Sequence, residues 1–419
     1  MFKKIKHELN YLQKDDIAGV FIFLAAIIPA LIGRVVIGLS GRRIWLISED
    51  RNEARDNGIC FFRWLMERCA GDGRAHRGRI GRRTSVYYAI SYDSPDYEKV
   101  SAIGPTVRYG SIMHWVLYFN CEFNISTQKA CRPATAVGYV LERLGINKGK
   151  NVFLQHGITL SHATWLFYKN TGMRVFICGA KPEYDYVCSE FGYPRGYVSY
   201  TGFCRFDDYH KPHEVKRQIL LIPSWREWIG SKNEFSGVYE DTSVFTNTEY
   251  YKKYQSLINS ERLQELLEKN DVELYFYPHR NMQSFIDSFT TNCDRIHIVD
   301  AKSGDIRKLL LESALMVTDY SSVALDFAYM KKPVVFYQFD VKRFREAQYE
   351  AGYFDYETSG LGTWCESEED VLDTVEKSVE AGFTVDEAFE RAHAEFFPRY
   401  DARNCERVFR KLVKVRQGR

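Results

Sequence analysis

The 419-residue sequence contains no GxGxxG fingerprint and no GxxxxGK[ST] loop, so neither the usual dinucleotide turn nor a P-loop organises its phosphate chemistry. A clear DxD motif is missing too, which argues against a metal-dependent sugar transferase. Its ten cysteines are scattered, with no CxxC pair and no metal-like Cys/His spacing. That pattern fits free thiols in a reducing compartment, not a zinc site or a disulfide scaffold. There is no excess of one charge: 57 Lys and Arg face 55 Asp and Glu, a net of +2, so no basic field marks a nucleic-acid partner. No repeat of fixed period and no low-complexity tract is visible.

What is present is globular, with 45% hydrophobic and 27% charged residues, and the chain is too long for one ordinary core. Residues 1–16 are polar and carry Lys3, Lys4, Lys6 and Lys14; residues 17–33, IAGVFIFLAAIIPALIG, hold no charge. Arg34 interrupts, VVIGL follows, and Arg42 and Arg43 close the segment. The run is long for a core helix and short for a comfortable span, although Arg34 could snorkel and extend it to Leu39, and Pro29 would kink it. Three readings follow: a membrane-embedded or re-entrant anchor, a full span, or a soluble core helix. A cleaved signal peptide is disfavoured because no small-residue cleavage site precedes the strand-like RIWLIS. On the anchor reading the α/β core begins at Ile44 and does not need the apolar run.

From Ile44 onward strand-like and helix-like patterns alternate. The glycine- and arginine-rich stretch 71–83 reads as a solvated loop, or as a basic loop that meets anionic lipid or a polyanionic acceptor. NVFLQHGIT places His156-Gly157 where a strand leaves its sheet. KPHEVKRQ suits an interdomain linker, after which a second alternation begins. Residues 233–250, rich in Ser, Thr, Asn and aromatics, read as an insert over the cleft between the two halves. The stretch 314–340, ALMVTDYSSVALDFAYMKKPVVFYQFD, reads as strand, tight turn, helix and strand. Its helix start, with Ser321 and Ser322 adjacent, is a candidate anion site; the plainer alternative is that Ser321 only caps the helix and Asp326 is a solvated carboxylate.

TDYSSVALDFAYMKKPVVFYQFD resembles the C-terminal signature of the bacterial CDP-glycerol glycerophosphotransferases, the teichoic acid primases and polymerases and their capsule relatives. SEDRNEARDNG at 48–58, QHGIT at 155–159, TGFCRFD at 201–207, PSWRE at 223–227, YPHRNM at 277–282 and GYFDYE at 352–357 resemble further blocks of that family, in the same order. Behind the apolar membrane-associating segment read at 1–43, the resemblance implies a GT-B-like α/β fold: two Rossmann-like domains facing a central cleft. It assigns 44–210 to an acceptor domain, 211–385 to a CDP-donor domain, and 386–419 to helices that return to the first domain.

The implied activity is transfer of glycerol phosphate, or another polyol phosphate, from CDP-glycerol or CDP-ribitol to a hydroxyl of a lipid-linked or capsular polymer, with release of CMP. By resemblance His156 is the base, although Gln155 stands where the family's WHGT block has tryptophan. His279, Ser321 and Ser322 would hold the pyrophosphate. Arg205 and Arg226 would present guanidinium to phosphate, with Arg226 open to an ordinary surface role, and Asp326 would accept from cytosine or glycerol hydroxyls. Gln155, Gly157, Ile158, Thr159, Pro223 and Ser224 complete the expected donor contacts. No metal or other cofactor is implied. The expected location is the cytoplasmic face of the bacterial membrane, peripheral or monotopic, with the membrane surface as a partner and no nucleic acid. A GT-B glycosyltransferase using a nucleotide sugar, and a non-catalytic nucleotide- or polymer-binding protein, are the alternatives.

Overall fold

Short runs such as ILLI, LMV and VVFY are apolar on both sides, so they can bury themselves only as parallel strands covered on both faces. The computed structural model describes residues 14–70, 83–129, 131–147, 149–229, 242–300 and 304–418 and contains two such sheets. The first comprises β1 (Arg43–Ser48), β2 (Thr84–Ile90), β3 (Thr106–Arg108), β4 (Phe123–Ser126), β5 (Lys150–Phe153), β6 (Val175–Cys178) and β7 (Val198–Tyr200), in the order β3-β2-β1-β4-β5-β6-β7. The second comprises β8 (Gln218–Ile222), β9 (Glu273–Phe276), β10 (Ile296–Ile298), β11 (Leu315–Thr318), β12 (Val334–Tyr337) and β13 (Thr363–Cys365), in the order β10-β9-β8-β11-β12-β13.

Within the two sheets all the described pairings are parallel. Strand order reverses between β1 and β4 and between β8 and β11. Ligands of doubly wound sheets bind at the carboxyl ends of strands beside such a reversal. The segments after β1, β4, β8 and β11 are therefore where the fold directs attention.

The last helix, Asn404–Arg416, lies on the first half: Asp207 accepts from the backbone N–H of Asn404 at 2.7 Å and of Cys405 at 2.9 Å. Gly202 has φ +75°, and a Cβ there would lie 1.9 Å from Asn404 Oδ1, so this contact needs glycine.

The N-terminal helix, Lys14–Ser40, corrects one expectation. Its part Ala18–Ser40 is long and apolar enough to cross a membrane, with a mean hydropathy of 2.6. Yet it is not an appendage to a core that starts at Ile44. It runs along the helix Ile112–Asn120, where Asn120 Nδ2 donates to the Ala30 carbonyl at 3.1 Å and Phe23 packs on Trp115 with ring centroids 5.3 Å apart. The reason is a stripe of small residues. Gly19, Ala26, Ala30 and Gly33 recur at helical spacing, and a Cβ on Gly19 or Gly33 would come within 2.6 Å of Ala134 or 3.0 Å of Val116. Trp115 is fully buried in this contact layer, whereas Phe21, Leu24, Ile28, Ile32 and Val36 on the other faces are exposed.

Two further expectations fall wholly or partly outside the described residues. They are the basic stretch 71–83, of which only Arg83 is described, and the insert at 233–250, described from 242. The described end of the insert belongs to the second core: helices Thr242–Phe245 and Glu249–Ile258 pack inward, with Phe245 stacked on Phe285 at 4.3 Å.

Candidate active site

The first half of the site is built by the block that follows β1. Glu49 is buried and accepts from the backbone N–H of Arg55, Asp56 and Ile59 at 2.6, 3.0 and 2.7 Å, which fixes the turn into the helix Asn57–Ala70. Burial, with Asp56 nearby, holds the Glu49 carboxyl well above the ordinary range. Asn57, fully buried, donates to the Gln155 carbonyl at 2.8 Å and accepts from the Arg205 N–H at 3.0 Å. This block thus supports the loop after β5 from below.

That loop carries His156. Gln155 sits at φ +62°, a left-handed conformation uncommon for a residue with a side chain, and turns the next residue outward. His156 is exposed, and its Nδ1 lies 3.3 Å from the Thr127 carbonyl at the end of β4. A carbonyl only accepts, so a neutral ring places its proton on Nδ1 and leaves the Nε2 lone pair outward. Gly157 meets the other domain: a Cβ there would lie 2.3 Å from Ser322 Oγ. Gly157 lets the histidine loop touch the serine turn.

The second half centres on Asp319, fully buried at the end of β11. It accepts from the N–H of Ser224 at 2.8 Å and of Tyr320 at 2.6 Å and from the Tyr254 hydroxyl at 3.2 Å. The His279 N–H donates to the Pro223 carbonyl at 3.1 Å, so the ends of β8, β9 and β11 converge. His279 Nδ1 accepts from the Asn281 N–H at 3.2 Å, which leaves the proton on Nε2. Burial, with Arg280 adding to it, pushes the His279 pKa down to about 4, although Asp319 works the other way. At neutral pH His279 is an uncharged donor. Ser322 is in a helical conformation and its hydroxyl caps no backbone N–H; the helix Val323–Tyr329 that follows has seven residues. Ser321 Oγ accepts from the Val323 N–H at 3.4 Å.

Several expected donor contacts lie elsewhere. Arg226 is 0% exposed: Nε and Nη2 bond to Asp340 at 2.7 and 3.1 Å, and Nη1 lies 2.8 Å from Asp319. It braces the loops after β8, β11 and β12 and has no face left for phosphate. Arg205 is buried between Asp326, at 2.6 and 2.7 Å, and Asp56, at 2.7 Å. Asp326 also accepts from the Tyr209 hydroxyl at 2.9 Å and is 2% exposed, so it is closed off from cytosine or glycerol. Arg205 and Asp326 tie the two domains together instead. Gln155, Ile158 and Thr159 are buried beneath His156, and Pro223 is buried beneath Ser224. The GYFDYE block is a clamp as well: Ser161 bridges Ala351, and a Cβ on Gly352 would lie 2.3 Å from the Leu160 carbonyl.

The structure therefore brings His156, Gly157, Ser224, His279, Ser321 and Ser322 to one place and withdraws both arginines. Sequence reasoning missed Arg280, which is 65% exposed beside His279 and lies 3.6 Å from Glu53 of the opposite domain. Its signal was available, since both residues stand inside quoted blocks.

The sequence pattern of the CDP-glycerol:poly(glycerophosphate) glycerophosphotransferases matches residues 79–414. The chain belongs to this family. Minor teichoic acid biosynthesis protein GgaB of Bacillus subtilis is 28% identical over 396 residues, which is 93% of this glycerophosphotransferase-family chain and 42% of GgaB. A teichoic acid poly(glycerol phosphate) polymerase of Bacillus spizizenii is 25% identical over 195 residues, 45% of this chain and 47% of that one. The chain spans less than half the length of these two relatives. The solved wall teichoic acid polymerase TagF superposes with a TM-score of 0.61 at 13% identity, covering 96% of this chain and 98% of that one, a likeness of the two-domain GT-B-like fold. A TagF variant soaked with CDPG superposes equally well, at 0.61.

Proposed function

We propose that this chain transfers a polyol phosphate from a CDP-linked donor, CDP-glycerol first, to a hydroxyl of a teichoic-acid-like polymer. The observation that carries the proposal is the approach of Gly157 to Ser322, which sets an outward histidine against a turn of hydroxyl and N–H donors. Family membership and the CDPG-soaked TagF variant support the donor class.

In the proposed reaction the acceptor oxygen attacks the β-phosphorus opposite the bridging oxygen. The bond from phosphorus to that oxygen breaks, CMP leaves with it, and the acceptor proton passes to His156 Nε2. Ser321, Ser322 and the neutral His279 Nε2–H donate to the phosphate oxygens. With Arg205 and Arg226 held by carboxylates, Arg280 is the cation assigned to the donor, exchanging its long contact with Glu53 for phosphate. Residues 44–210 take the acceptor side, 211–385 the donor side, and 386–419 close back on the first domain. No metal is assigned a step, so a chelator leaves the rate unchanged.

CMP release from CDP-glycerol and CDP-ribitol, with and without acceptor, tests the reading. His156→Ala lowers turnover by roughly 100- to 10,000-fold, about 3 to 5 kcal/mol, while donor binding holds. Release of UMP or UDP from a nucleotide sugar instead would reject the donor class. Arg280→Ala weakens donor binding in this scheme and leaves thermal stability alone.

The membrane reading is part of the same proposal. Gly19 and Gly33 both touch the first domain, about 21 Å apart along the helix axis at 1.5 Å per residue, so the helix lies flat against the protein with its other faces open. We read the bilayer contact as in-plane and monotopic, on the cytoplasmic face where a nucleotide donor is available, with a lipid-linked acceptor. Replacing Phe21, Ile28 and Ile32 with serine should abolish co-flotation with anionic liposomes. Retained flotation by the folded variant would reject this contact.

A further inference from the structure

Glu183 lies on the helix Lys181–Glu190, behind the site and out of reach of any substrate, and is 0% exposed. Among the described residues no cation pairs with it. Instead four N–H groups converge on its two oxygens: Oε1 accepts from Gln155 Nε2 at 2.9 Å and from the Thr159 N–H at 2.7 Å, and Oε2 accepts from the Gly179 N–H at 2.7 Å and the Ala180 N–H at 3.5 Å. Ionised, as it is above about pH 7, this carboxylate accepts at every lone pair and donates nowhere, which matches a set made of N–H donors alone.

Two of these donors flank His156. Gln155 precedes it and Thr159 follows, and the two are also joined to each other by Thr159 Oγ1 donating to Gln155 Oε1 at 2.9 Å. Gln155 Nε2 further donates to the Ile177 carbonyl at 2.6 Å. Every polar atom of the Gln155 side chain is thereby used, and this anchorage holds the backbone of Gln155 at φ +62°. In that conformation the chain reverses and projects His156 toward Thr127 and Gly157 toward Ser322. An unanchored residue at this position would relax to negative φ and take the imidazole with it.

We propose that Glu183 is a positioning residue for the transfer reaction, setting the aim of His156 through Gln155 and Thr159. The inference rests on the proposed role of His156. It adds a carboxylate that has no part in the family blocks quoted above and lies about 30 residues away in sequence. An apolar residue in its place would strand four buried N–H groups, and glutamine would bring an amide N–H₂ against N–H donors, so neither keeps the loop.

The test compares wild type with Glu183→Gln in the full-length protein. Turnover in CMP release from CDP-glycerol should fall about 10- to 100-fold, with the donor KM within about twofold, as for a base displaced but not removed. In parallel, the ring nitrogens of ¹⁵N-histidine-labelled protein should report the Nδ1–H tautomer of His156 in the wild type and a mixture of tautomers in the variant. A variant that melts earlier but keeps wild-type turnover and the same ring signals would show that Glu183 only stabilises the fold, and would overturn the proposal. So would a proportional loss of donor affinity. If Glu183→Gln does not fold, Gln155→Met severs the same link while leaving the backbone bonds of Glu183, and must show the same fall in turnover and tautomer change. If the wild type releases no CMP from CDP-glycerol, the functional reading fails, and the ring signals still decide whether Glu183 aims His156.

Discussion

The two sides of the cleft hold their loops by different electrostatics. In the first domain Glu49 and Glu183 are buried with no cation partner among the described residues and are satisfied by backbone and amide N–H groups. In the second, Arg226 is enclosed by Asp319 and Asp340, and the aspartates distribute the hydrogen bonds. A carboxylate satisfied only by N–H dipoles has no cation to offset its burial, so its pKa rises; an arginine between two aspartates offsets most of that cost by attraction. The first loop is therefore sensitive to pH and the second to the loss of one partner.

The largest expected effect breaks the second arrangement. Arg226→Met leaves two buried aspartates without their cation, and thermal or denaturant unfolding should show a loss of about 3 to 5 kcal/mol. A change below about 1 kcal/mol would mean that solvent reaches the cluster and that it does not brace the turn. Arg205→Met, which strands Asp326 between the domains, should cost a similar amount.

The next effect sharpens the first arrangement. Burial pushes the Glu183 carboxyl up to about 7 from 4.5. Below pH 4.5 it is protonated in folded and unfolded chains alike and contributes no pH dependence. Between 4.5 and 7 the unfolded chain ionises and the folded one does not, so stability falls as pH rises, by about 3 kcal/mol in all at 1.36 kcal/mol per unit. Glu49 acts in the same direction. His279 acts in the opposite one: with its pKa lowered to about 4, its contribution is complete above 6.5 and is lost as pH falls through 4. Stability measured against pH should be steeper between pH 5 and 7 in wild type than in Glu183→Gln. Parallel curves would mean that Glu183 ionises normally.

The architecture was largely legible because buried parallel strands are written as short apolar runs, and RIWLIS, ILLI, LMV and VVFY are all strands. The polar groups of the site were legible only as an inventory. Arg205 and Arg226 have the same chemistry whether they face phosphate or aspartate. Their partners Asp326 and Asp340 lie more than 100 residues away, and local sequence carries no sign of that pairing. Glu183 sat in an unremarked helix for the same reason. The helix Lys14–Ser40 shows the limit in another form: its hydrophobicity was plain, but the stripe from Gly19 to Gly33 that docks it on Trp115 and Val116 only has meaning once the opposing helix is known.

The smallest effect separates scaffold from contact within the second domain. Ser321 and Ser322 stand on the turn that Asp319 and Arg226 brace, yet they contribute almost nothing to bracing it, since Ser322 caps no N–H and Ser321 makes one long bond of 3.4 Å. Replacing both with alanine should leave the melting temperature near that of wild type, unlike Arg226→Met. If their hydroxyls donate to the donor phosphates, each charged hydrogen bond is worth about 1.5 to 3 kcal/mol. Part of that is recovered by water and by the N–H groups that remain in the turn, so CDP-glycerol affinity should fall roughly a hundredfold, about 2.7 kcal/mol. Cytidine, which carries no phosphate, should bind the double variant almost as it binds wild type. Calorimetry with the two ligands reads this difference directly. Equal losses for both, or a fall in melting temperature matching that of Arg226→Met, would make the serines part of the scaffold and move the phosphate contact to His279 and Arg280.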